Sequence, residues 1–281
     1  MPRPDFRSAL RRGPLLLDAA HGTRLVARGL NLADDDPCLW NLDRPEEVAD
    51  LHYFDVAAGS DAVLTNTFGA NRAWLARFGR SGEVAAISLA AVGLARQAAG
   101  PSRFVLGGLG PTASTDPSAF RELAEALAAA GVDALMLETH GAEAALLGLQ
   151  QLSEMRVDLP ILVGLFLTDA PPADLAARLL DLGATALGGN CQDGMAPALA
   201  LAEDLRQNSE SPLIAKPGGG LPGGPSWSPE SFGEAVPALL AAGVRLFGGC
   251  CGTTADHLAS LRRALDRHST SDPSHRPSDR L

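Results

Sequence analysis

The sequence predicts a single (β/α)8 TIM barrel in the α/β class, and three observations lead to that prediction. Short apolar or β-branched runs, eight in all, alternate with Ala/Leu-rich segments of helical spacing. Each run ends in Gly, Asn, Thr or Pro before the next helical segment begins. An open sheet rarely needs eight successive units, so the alternation favours a closed barrel.

The predicted strands and helices can be followed in order from the N-terminus. The predicted strands are Leu15–Asp18, Ala62–Asn66, Phe104–Leu109, Ala134–Glu138, Ile161–Leu167, Ala186–Asn190, Leu213–Lys216 and Leu246–Gly249. The segments predicted as crossover helices have Ala and Leu on one face and charges on the other; they include Pro45–Ala58, Ser118–Ala130, Pro172–Leu182, Ala196–Gln207 and Glu230–Ala242. Capping side chains next to Pro or an early acid predict helix starts at Asp116-Pro117-Ser118, Ser228-Pro229-Glu230 and Thr254-Ala255-Asp256.

The domain organisation follows from where this alternation begins and ends. We expect one barrel domain over residues 14–267, an N-terminal extension over residues 1–13 and a disordered C-terminal tail over residues 268–281. The extension is expected to lie as a short lid at the bottom of the barrel. The tail has almost no apolar residue, so it cannot bury enough surface to offset the entropy lost on ordering.

The composition excludes several classes of partner. The chain has 23 Lys and Arg against 33 Asp and Glu, and no long basic run, which argues against nucleic acid. No apolar stretch approaches the roughly 18 residues of a spanning helix, and the N-terminus has no signal-peptide core. We therefore expect a cytoplasmic protein that binds neither membrane nor nucleic acid.

Cysteines are concentrated where a barrel places its active site. The carboxyl ends of barrel strands form the functional face, and three of the four cysteines, Cys191, Cys250 and Cys251, follow the predicted sixth and eighth strands. Thiolates suit Zn²⁺, and three protein ligands leave a fourth position open, as in catalytic zinc sites. Buried packing is the alternative for any one cysteine, and it suits Cys38, which has no partner at the strand ends.

Several motifs in a fixed order resemble those of one enzyme family. The motif with the highest specificity is Gly248-Gly249-Cys250-Cys251-Gly252-Thr253-Thr254. It is supported by Asp18-Ala19-Ala20-His21-Gly22-Thr23, Thr65-Asn66-Thr67-Phe68-Gly69-Ala70, Gly110-Pro111-Thr112, Leu137-Glu138-Thr139 and Gly189-Asn190-Cys191. Over about residues 14 to 266, the sequence resembles the zinc-dependent homocysteine S-methyltransferase family, which includes betaine-homocysteine methyltransferase and the homocysteine module of cobalamin-dependent methionine synthase.

The resemblance implies a function, a cofactor and a set of site residues. It implies methyl transfer to homocysteine in methionine biosynthesis, with Zn²⁺ bound by the three cysteines named above and the substrate sulfur as the fourth ligand. Glu138 and Asp18 are expected to face the substrate amino group, and Asn66, Thr67 and Asn190 are further substrate-binding candidates. No catalytic residue is expected beyond the metal site, because a metal-bound thiolate is itself the nucleophile.

The sequence departs from the family pattern at two motifs. The family usually has Asp-Gly-X-Met-Gly-Thr where this chain has residues 18–23. Ala19 replaces the Gly and His21 replaces the Met, which predicts a different shape near the substrate. His21 is expected to be a hydrogen-bonded loop residue. The run Pro217-Gly218-Gly219-Gly220 replaces Pro-Asn-Ala-Gly, so an Asn that resembles a temporary zinc partner in some members is missing.

Two other functions and the identity of the methyl donor stay open at this stage. An aldolase-like barrel would use Lys216 as a Schiff-base lysine and a Gly-rich phosphate site, and a catalytically inactive zinc-binding barrel is the second alternative. The chain ends with the barrel, so we expect the methyl group to come from a small donor such as a sulfonium compound or betaine, or from a methyl-carrying partner protein. Trp40 is a candidate aromatic contact for a cationic donor, with loop packing as its alternative.

Overall fold

Eight parallel strands surrounded by helices form the fold in this computed structural model, which describes residues 4–112, 117–221, 224 and 226–271. The strands are β1 (Leu15–Leu16), β2 (Ala62–Leu64), β3 (Phe104–Leu109), β4 (Ala134–His140), β5 (Ile161–Leu165), β6 (Ala186–Asp193), β7 (Leu213–Gly218) and β8 (Val244–Phe247). The sheet order is β1-β8-β7-β6-β5-β4-β3-β2, and the seven pairs of neighbouring strands in this order are all parallel. The predicted (β/α)8 barrel is confirmed.

The α-helices follow the strands as the alternation predicts. They are α1 (Phe6–Arg12), α2 (Gly22–Ala27), α3 (Trp40–Asp43), α4 (Pro45–Ala57), α5 (Arg72–Leu75), α6 (Val84–Ala99), α7 (Pro117–Ala129), α8 (Ala142–Glu154), α9 (Leu175–Asp181), α10 (Met195–Gln207), α11 (Pro229–Ala241) and α12 (Ala255–Ser271). Ser228 caps α11 by accepting a hydrogen bond from the backbone N–H of Ser231, as its motif predicts. Asp116, of the first predicted helix start, lies outside the described residues.

Side-chain and backbone hydrogen bonds close the barrel between its first two strands. Asp61 accepts a 2.9 Å hydrogen bond from the backbone N–H of Leu16, and its own N–H donates to the Leu16 carbonyl at 2.7 Å. Further toward the carboxyl ends, Asp18 Oδ2 accepts a 2.7 Å hydrogen bond from the N–H of Leu64. A buried carboxylate therefore joins the chain after β1 to the end of β2.

The interior of the barrel is apolar, and α1 packs into it from the amino-terminal end of the strands. Phe6 and Leu10 share a core cluster with strand residues such as Leu106 and Met136, and the Phe6 and Phe104 rings meet edge to face at 5.2 Å. A larger cluster fills the space between the strands and the outer helices. Because the amino-terminal end is filled, the accessible space of the barrel lies at the carboxyl ends of its strands.

The two ends of the chain were predicted to lie outside the barrel domain. Helix α1 occupies part of the predicted extension, with Asp5 as its N-cap. Helix α12 continues to Ser271, past His268, where the predicted tail begins. Residues 272–281 lie outside the described residues.

Candidate active site

Three cysteine side chains converge at the carboxyl ends of the strands. Cys191 lies within β6, whereas Cys250 and Cys251 follow the end of β8. Their sulfur atoms all lie within 4.8 Å of one another. In a tetrahedral site with Zn–S bonds of about 2.3 Å, the sulfurs would be about 3.8 Å apart, so only small adjustments separate this cluster from a metal-binding geometry. The predicted convergence of the three cysteines is confirmed.

Local backbone irregularities direct these cysteines toward one point. The register of β6 shifts between Asn190 and Asp193, and Cys191 adopts a left-handed φ of 65° inside that irregularity. Bulges of this kind re-aim a side chain that a regular strand would point elsewhere. On the β8 side, Gly252 has φ 78°, and a Cβ there would lie 1.8 Å from the carbonyl oxygen of Gly220. Only glycine fits this tight turn directly after the cysteine pair.

The electrostatics of the cluster fit a divalent cation. A hydrogen bond with Cys191 is the largest contribution that raises the pKa of the Cys250 thiol, which burial also raises, to about 12. Thiols packed this closely resist ionisation, because each thiolate would repel the next. A metal ion removes this penalty, since a coordinating thiol is deprotonated by the cation. Three sulfur donors beside an open cavity therefore fit a zinc site with one position left for a substrate.

A cavity of about 480 Å³ opens beside the cysteines. Its walls combine strand-end residues with the segment after β1 and with apolar side chains. The lining residues are Asp18, Ala19, Ala20, His21, Gly22, Thr23, Val26, Leu32, Pro37, Leu64, Thr65, Asn66, Thr67, Phe68, Glu138, Thr139, Cys191, Lys216, Leu221, Cys250 and Cys251. The structure thus gathers four of the five predicted substrate-binding residues and all three predicted metal ligands around one space.

Glu138 is the acid with unused bonding capacity in this cavity. Among the described residues, no hydrogen bond contributes to the electrostatics of its carboxylate, and burial raises its pKa to about 7 against the opposing charge of Lys216. A Cβ on Gly108 would lie 2.3 Å from Glu138 Oε1, so the carboxylate rests directly over a glycine of β3. This arrangement leaves the Glu138 carboxylate available for a cationic group of a ligand.

Asp18, by contrast, is engaged by the protein itself. Its Oδ2 accepts the hydrogen bond from Leu64 that closes the barrel, and its Oδ1 lies 3.3 Å from Lys216 Nζ. His21 Nε2 lies 3.6 Å from Asp18 Oδ2. The carboxylate lines the cavity, but both of its oxygens already face protein groups.

The three predicted polar contacts Asn66, Thr67 and Asn190 are held mainly by backbone groups. The Asn66 amide donates to the Pro37 carbonyl at 2.6 Å, and Thr67 Oγ1 donates to the Gly108 carbonyl at 2.7 Å. Asn190 is fully buried and is not among the lining residues. It lies behind the wall, so its side chain supports strand ends from inside the protein.

Lys216 lies buried in the wall of the cavity rather than on the surface. Its Nζ donates a 2.6 Å hydrogen bond to the Gly249 carbonyl, and its side chain is 4% exposed. Burial lowers its pKa more than any other single cause, but the charges of Asp18, Cys250 and Glu138 together raise that pKa above its usual value. A lysine held protonated is a poor Schiff-base nucleophile, so the site does not favour the aldolase-like alternative. The sequence carried a further signal that was missed, since Lys216 is its only lysine.

A second cluster contains Asp18 and His21 of the cavity wall and Asp55 outside it, with one ligand atom of each within 4.8 Å of the others. Arg24 forms two hydrogen bonds of 2.6 and 2.8 Å to the Asp55 carboxylate, and Lys216 faces Asp18. Burial lowers the pKa of His21 well below its usual value, so this residue is neutral. Both carboxylates are already paired with cations, which argues against a second metal ion here.

Three other expectations concern residues around the site. Cys38 is buried in the core with 1% exposure and lies outside the cysteine cluster, as expected. Trp40 is also buried, and its indole N–H donates to Asp35 at 2.7 Å, so the packing alternative holds for this side chain. The aromatic side chain in the cavity wall is Phe68, which is 47% exposed. Phe68 belongs to one of the family-like motifs, but the sequence does not show which rings face the cavity.

The Gly218 departure has a local structural reason. A Cβ on this residue would lie 3.2 Å from the Gln192 carbonyl oxygen and 3.4 Å from that of Cys251. The backbone of β7 therefore packs closely against both cysteine-bearing segments at this point. A larger side chain would have to move one of these segments.

Among the residues that the structure describes, no helix is long and apolar enough to cross a membrane.

Comparisons with known proteins agree with one another. The family described as homocysteine S-methyltransferase matches residues 15–265 of this chain. The chain is 27% identical to the methionine synthases of Mycobacterium leprae and Mycobacterium tuberculosis, over 96% and 93% of its length. It spans only 27% and 25% of the length of these two relatives. The metallated form of the homocysteine methyltransferase MmuM from Escherichia coli superposes with a TM-score of 0.76 at 28% identity, covering 92% of this chain and 98% of that one.

Proposed function

The chain belongs to the homocysteine S-methyltransferase family, and on that premise we propose that it transfers a methyl group to the thiol of homocysteine to give methionine. The observation that carries the proposal is the cluster of Cys191, Cys250 and Cys251, with sulfurs within 4.8 Å of one another, in the wall of the cavity that holds Glu138. A methyl acceptor needs an ionised sulfur, and this cluster is a place where a thiol can be ionised.

The three cysteines would hold one Zn²⁺ ion. When bound, the ion supplies the positive charge that keeps a substrate thiol ionised near neutral pH. The protein contributes by holding the ligand-bearing segments in place before substrate arrives. The left-handed φ of 65° at Cys191 and the glycine turn after Cys251 both serve that purpose.

Glu138 would bind the amino group of homocysteine. Its carboxylate shares the cavity with the cysteines and has no hydrogen-bond donor among the described residues. An ammonium group placed there would favour the ionised carboxylate. Asp18 would contribute to the same recognition mainly through its charge, because its oxygens already face Leu64 and Lys216. Asn66 and Thr67 would shape the opposite wall.

Methyl transfer itself needs alignment more than proton transfer. The substrate sulfur attacks the methyl carbon in line with the bond to the leaving group, which departs with the electron pair of that bond. Holding both reactants in one cavity removes much of the entropic barrier to such a displacement. No side chain has to act as a general acid when the leaving group departs as a neutral molecule.

We propose that the methyl donor is a small onium compound, either a sulfonium or a quaternary ammonium. The cavity of about 480 Å³ has room for a second small molecule beside the amino acid. Its lining carries two carboxylates and one lysine, and the half-exposed ring of Phe68 offers a face that attracts cations. A methyl-carrying partner protein is the alternative source.

A donor panel tests the proposed activity. Purified protein is expected to hold about one zinc ion per chain and to form labelled methionine from homocysteine with CD3-labelled S-methylmethionine, S-adenosylmethionine or betaine. Methylcobalamin and methyltetrahydrofolate complete the panel. Turnover with these two alone would contradict the onium donor, and zinc binding without any turnover would favour a catalytically inactive barrel. Absence of zinc from freshly prepared, unchelated protein would contradict the mechanism.

The proposed setting is a single barrel domain working in the cytoplasm. The family match over residues 15–265 supports a domain of residues 14–267. Three free cysteines that must serve as ligands favour a reducing compartment.

A further inference from the structure

The only lysine of this chain is buried in the proposed active site. Lys216 is one of 23 Lys and Arg residues, and all the others are arginine. Every Lys or Arg side chain on the described surface is therefore an arginine. Lys216 is 3% exposed, at the end of β7. Lysine is seldom buried without a specific partner, because its charge loses hydration there. Its position therefore calls for a reason within the site.

Lys216 contacts the turn that carries two of the proposed metal ligands. Its Nζ donates a 2.6 Å hydrogen bond to the carbonyl of Gly249, the residue directly before Cys250. Asp18 holds the same residue through its backbone, because the Gly249 N–H donates to the Asp18 carbonyl at 3.0 Å. The 3.3 Å contact between Lys216 Nζ and Asp18 Oδ1 completes a closed arrangement of three residues.

Lys216 is also the only Lys or Arg among the residues that line the cavity. Its charge interacts with Cys250 and Glu138 as well as with Asp18. Three thiolates around a divalent cation carry a net negative charge, and an ionised substrate sulfur adds one more. In an environment of low polarity, one fixed ammonium group stabilises this negative charge far more strongly than it would in water.

We propose that Lys216 is a positioning residue for methyl transfer: its ammonium group holds the turn from Gly249 to Cys251 and offsets the negative charge that gathers at the cysteine cluster. This inference rests on the proposed function, because it assumes that the cluster binds zinc and a substrate sulfur. It assigns to Lys216 a role that does not require contact with the reacting atoms.

Zinc affinity, measured by competition with a chromophoric chelator, tests whether the charge of Lys216 stabilises the metal site. Lys216→Met keeps most of the length of the side chain and removes its charge, and we expect zinc to bind about 10–100-fold more weakly, as for other outer-shell partners of metal ligands. Lys216→Arg keeps the charge and is expected to recover most of the affinity. Equal affinity in the wild type and Lys216→Met would overturn the proposal, as would an Arg variant no better than the Met variant.

A matched control separates this effect from the general cost of breaking a buried ion pair. Arg24 pairs with Asp55 at 2.6 and 2.8 Å but does not line the cavity. We expect Arg24→Met to lower stability and leave zinc affinity unchanged. A loss of zinc affinity in Arg24→Met equal to that in Lys216→Met would contradict a specific role for Lys216.

A second measurement uses the fact that the chain has one lysine. With 15Nζ-labelled lysine, the protein has a single side-chain ammonium signal in NMR, and it belongs to Lys216. We expect that signal to shift when zinc is added and again when homocysteine follows. A signal that stays unchanged through both additions, in protein shown to bind zinc, overturns the inference and leaves the proposed function standing. Protein that binds no zinc contradicts the proposed function instead.

The Met variant leaves Asp18 without its cation, which is a reason for it to fold poorly. The double variant Asp18→Asn/Lys216→Met removes both charges and keeps an oxygen acceptor for the Leu64 N–H. If it folds and binds zinc as tightly as the wild type, the proposal is wrong. Weakened zinc binding together with a lower kcat supports it.

Discussion

Asn190 and Thr139 are joined by a hydrogen bond in which the Thr139 backbone N–H donates to Asn190 Oδ1 at 3.2 Å. The bond connects the end of β4 to the end of β6. Thr139 itself has φ 60°, and Cys191, which follows Asn190, has φ 65°. Left-handed non-glycine residues cost energy and persist only when their surroundings hold them. The buried amide of Asn190 therefore supports the strained Thr139 from the position directly before the strained Cys191.

We expect Asn190→Ala to weaken both the fold and the metal site. The Thr139 N–H would lose its partner in the interior, at a cost of about 1–3 kcal/mol, and the residue directly before Cys191 would lose its bond to β4. Urea denaturation and zinc competition measure the two effects. Asn71→Ala is the matched control, because Asn71 caps α5 by accepting a 2.9 Å hydrogen bond from the Trp74 N–H and is not among the residues that line the cavity. Zinc affinity reduced equally in both variants would contradict this role.

Each of the three clustered cysteines is expected to be needed for zinc. Replacing Cys191, Cys250 or Cys251 by Ala removes one of three sulfur donors, so we expect zinc content to fall well below one ion per chain and methyl transfer to be lost. Cys38→Ala serves as the control, since that thiol is buried elsewhere in the core. Metal analysis after gel filtration measures the outcome. A Cys251→Ala variant that keeps both its metal and its rate would refute the site.

Gly108→Ala is expected to impair substrate binding through Glu138. The new Cβ would lie 2.3 Å from Glu138 Oε1, so the carboxylate must move away from its present position. We expect the KM for homocysteine to rise about tenfold, the equivalent of about 1.4 kcal/mol, with zinc content unchanged. Gly93→Ala within α6 meets nothing within 4 Å and should leave KM as it is. An unchanged KM in Gly108→Ala would argue against recognition by Glu138.

The pH dependence of stability should reveal Glu138. Burial raises its pKa from 4.5 to about 7, so the folded state binds this proton more tightly than the unfolded state. The contribution of this group to the free energy of unfolding therefore has its largest value below about pH 4.5 and decreases as the pH rises toward 7. Glu138→Gln cannot titrate, and we expect its stability to fall less across this range than that of the wild type. Parallel curves from urea melts would show that the pKa is not raised.

The same group gives an expectation for substrate binding. Protonated Glu138 cannot pair with an ammonium group, so the KM for homocysteine should rise as the pH falls below about 7. Initial rates over this range measure the effect. A KM profile that is the same in the wild type and Glu138→Gln would place amino-group recognition elsewhere.

The strand pattern could be predicted from the sequence because barrel strands are buried on both faces and read as short apolar runs. The third strand was predicted with its observed bounds, Phe104–Leu109. Strands four and six extend beyond the prediction, to His140 and Asp193, because irregularities continue their pairing past the apolar run. Apolar periodicity contains no information about such bulges. The first strand is shorter than predicted, since Asp18 bonds through its side chain instead.

The amino-acid sequence by itself determined the barrel, the order of its strand ends and which three cysteines lie at those ends, because burial periodicity and the positions of cysteines can be seen in short segments. The tertiary structure decided which polar groups are free to meet a ligand. Asp18 accepts the hydrogen bond that closes the barrel, and Asn190 is buried outside the cavity lining. Glu138 faces the cavity, and Lys216 bonds to Gly249 directly before the two cysteines. These contacts join segments that are distant in the chain. A local sequence pattern therefore cannot show whether a polar side chain is already hydrogen-bonded to a neighbouring strand or is free to bind a ligand.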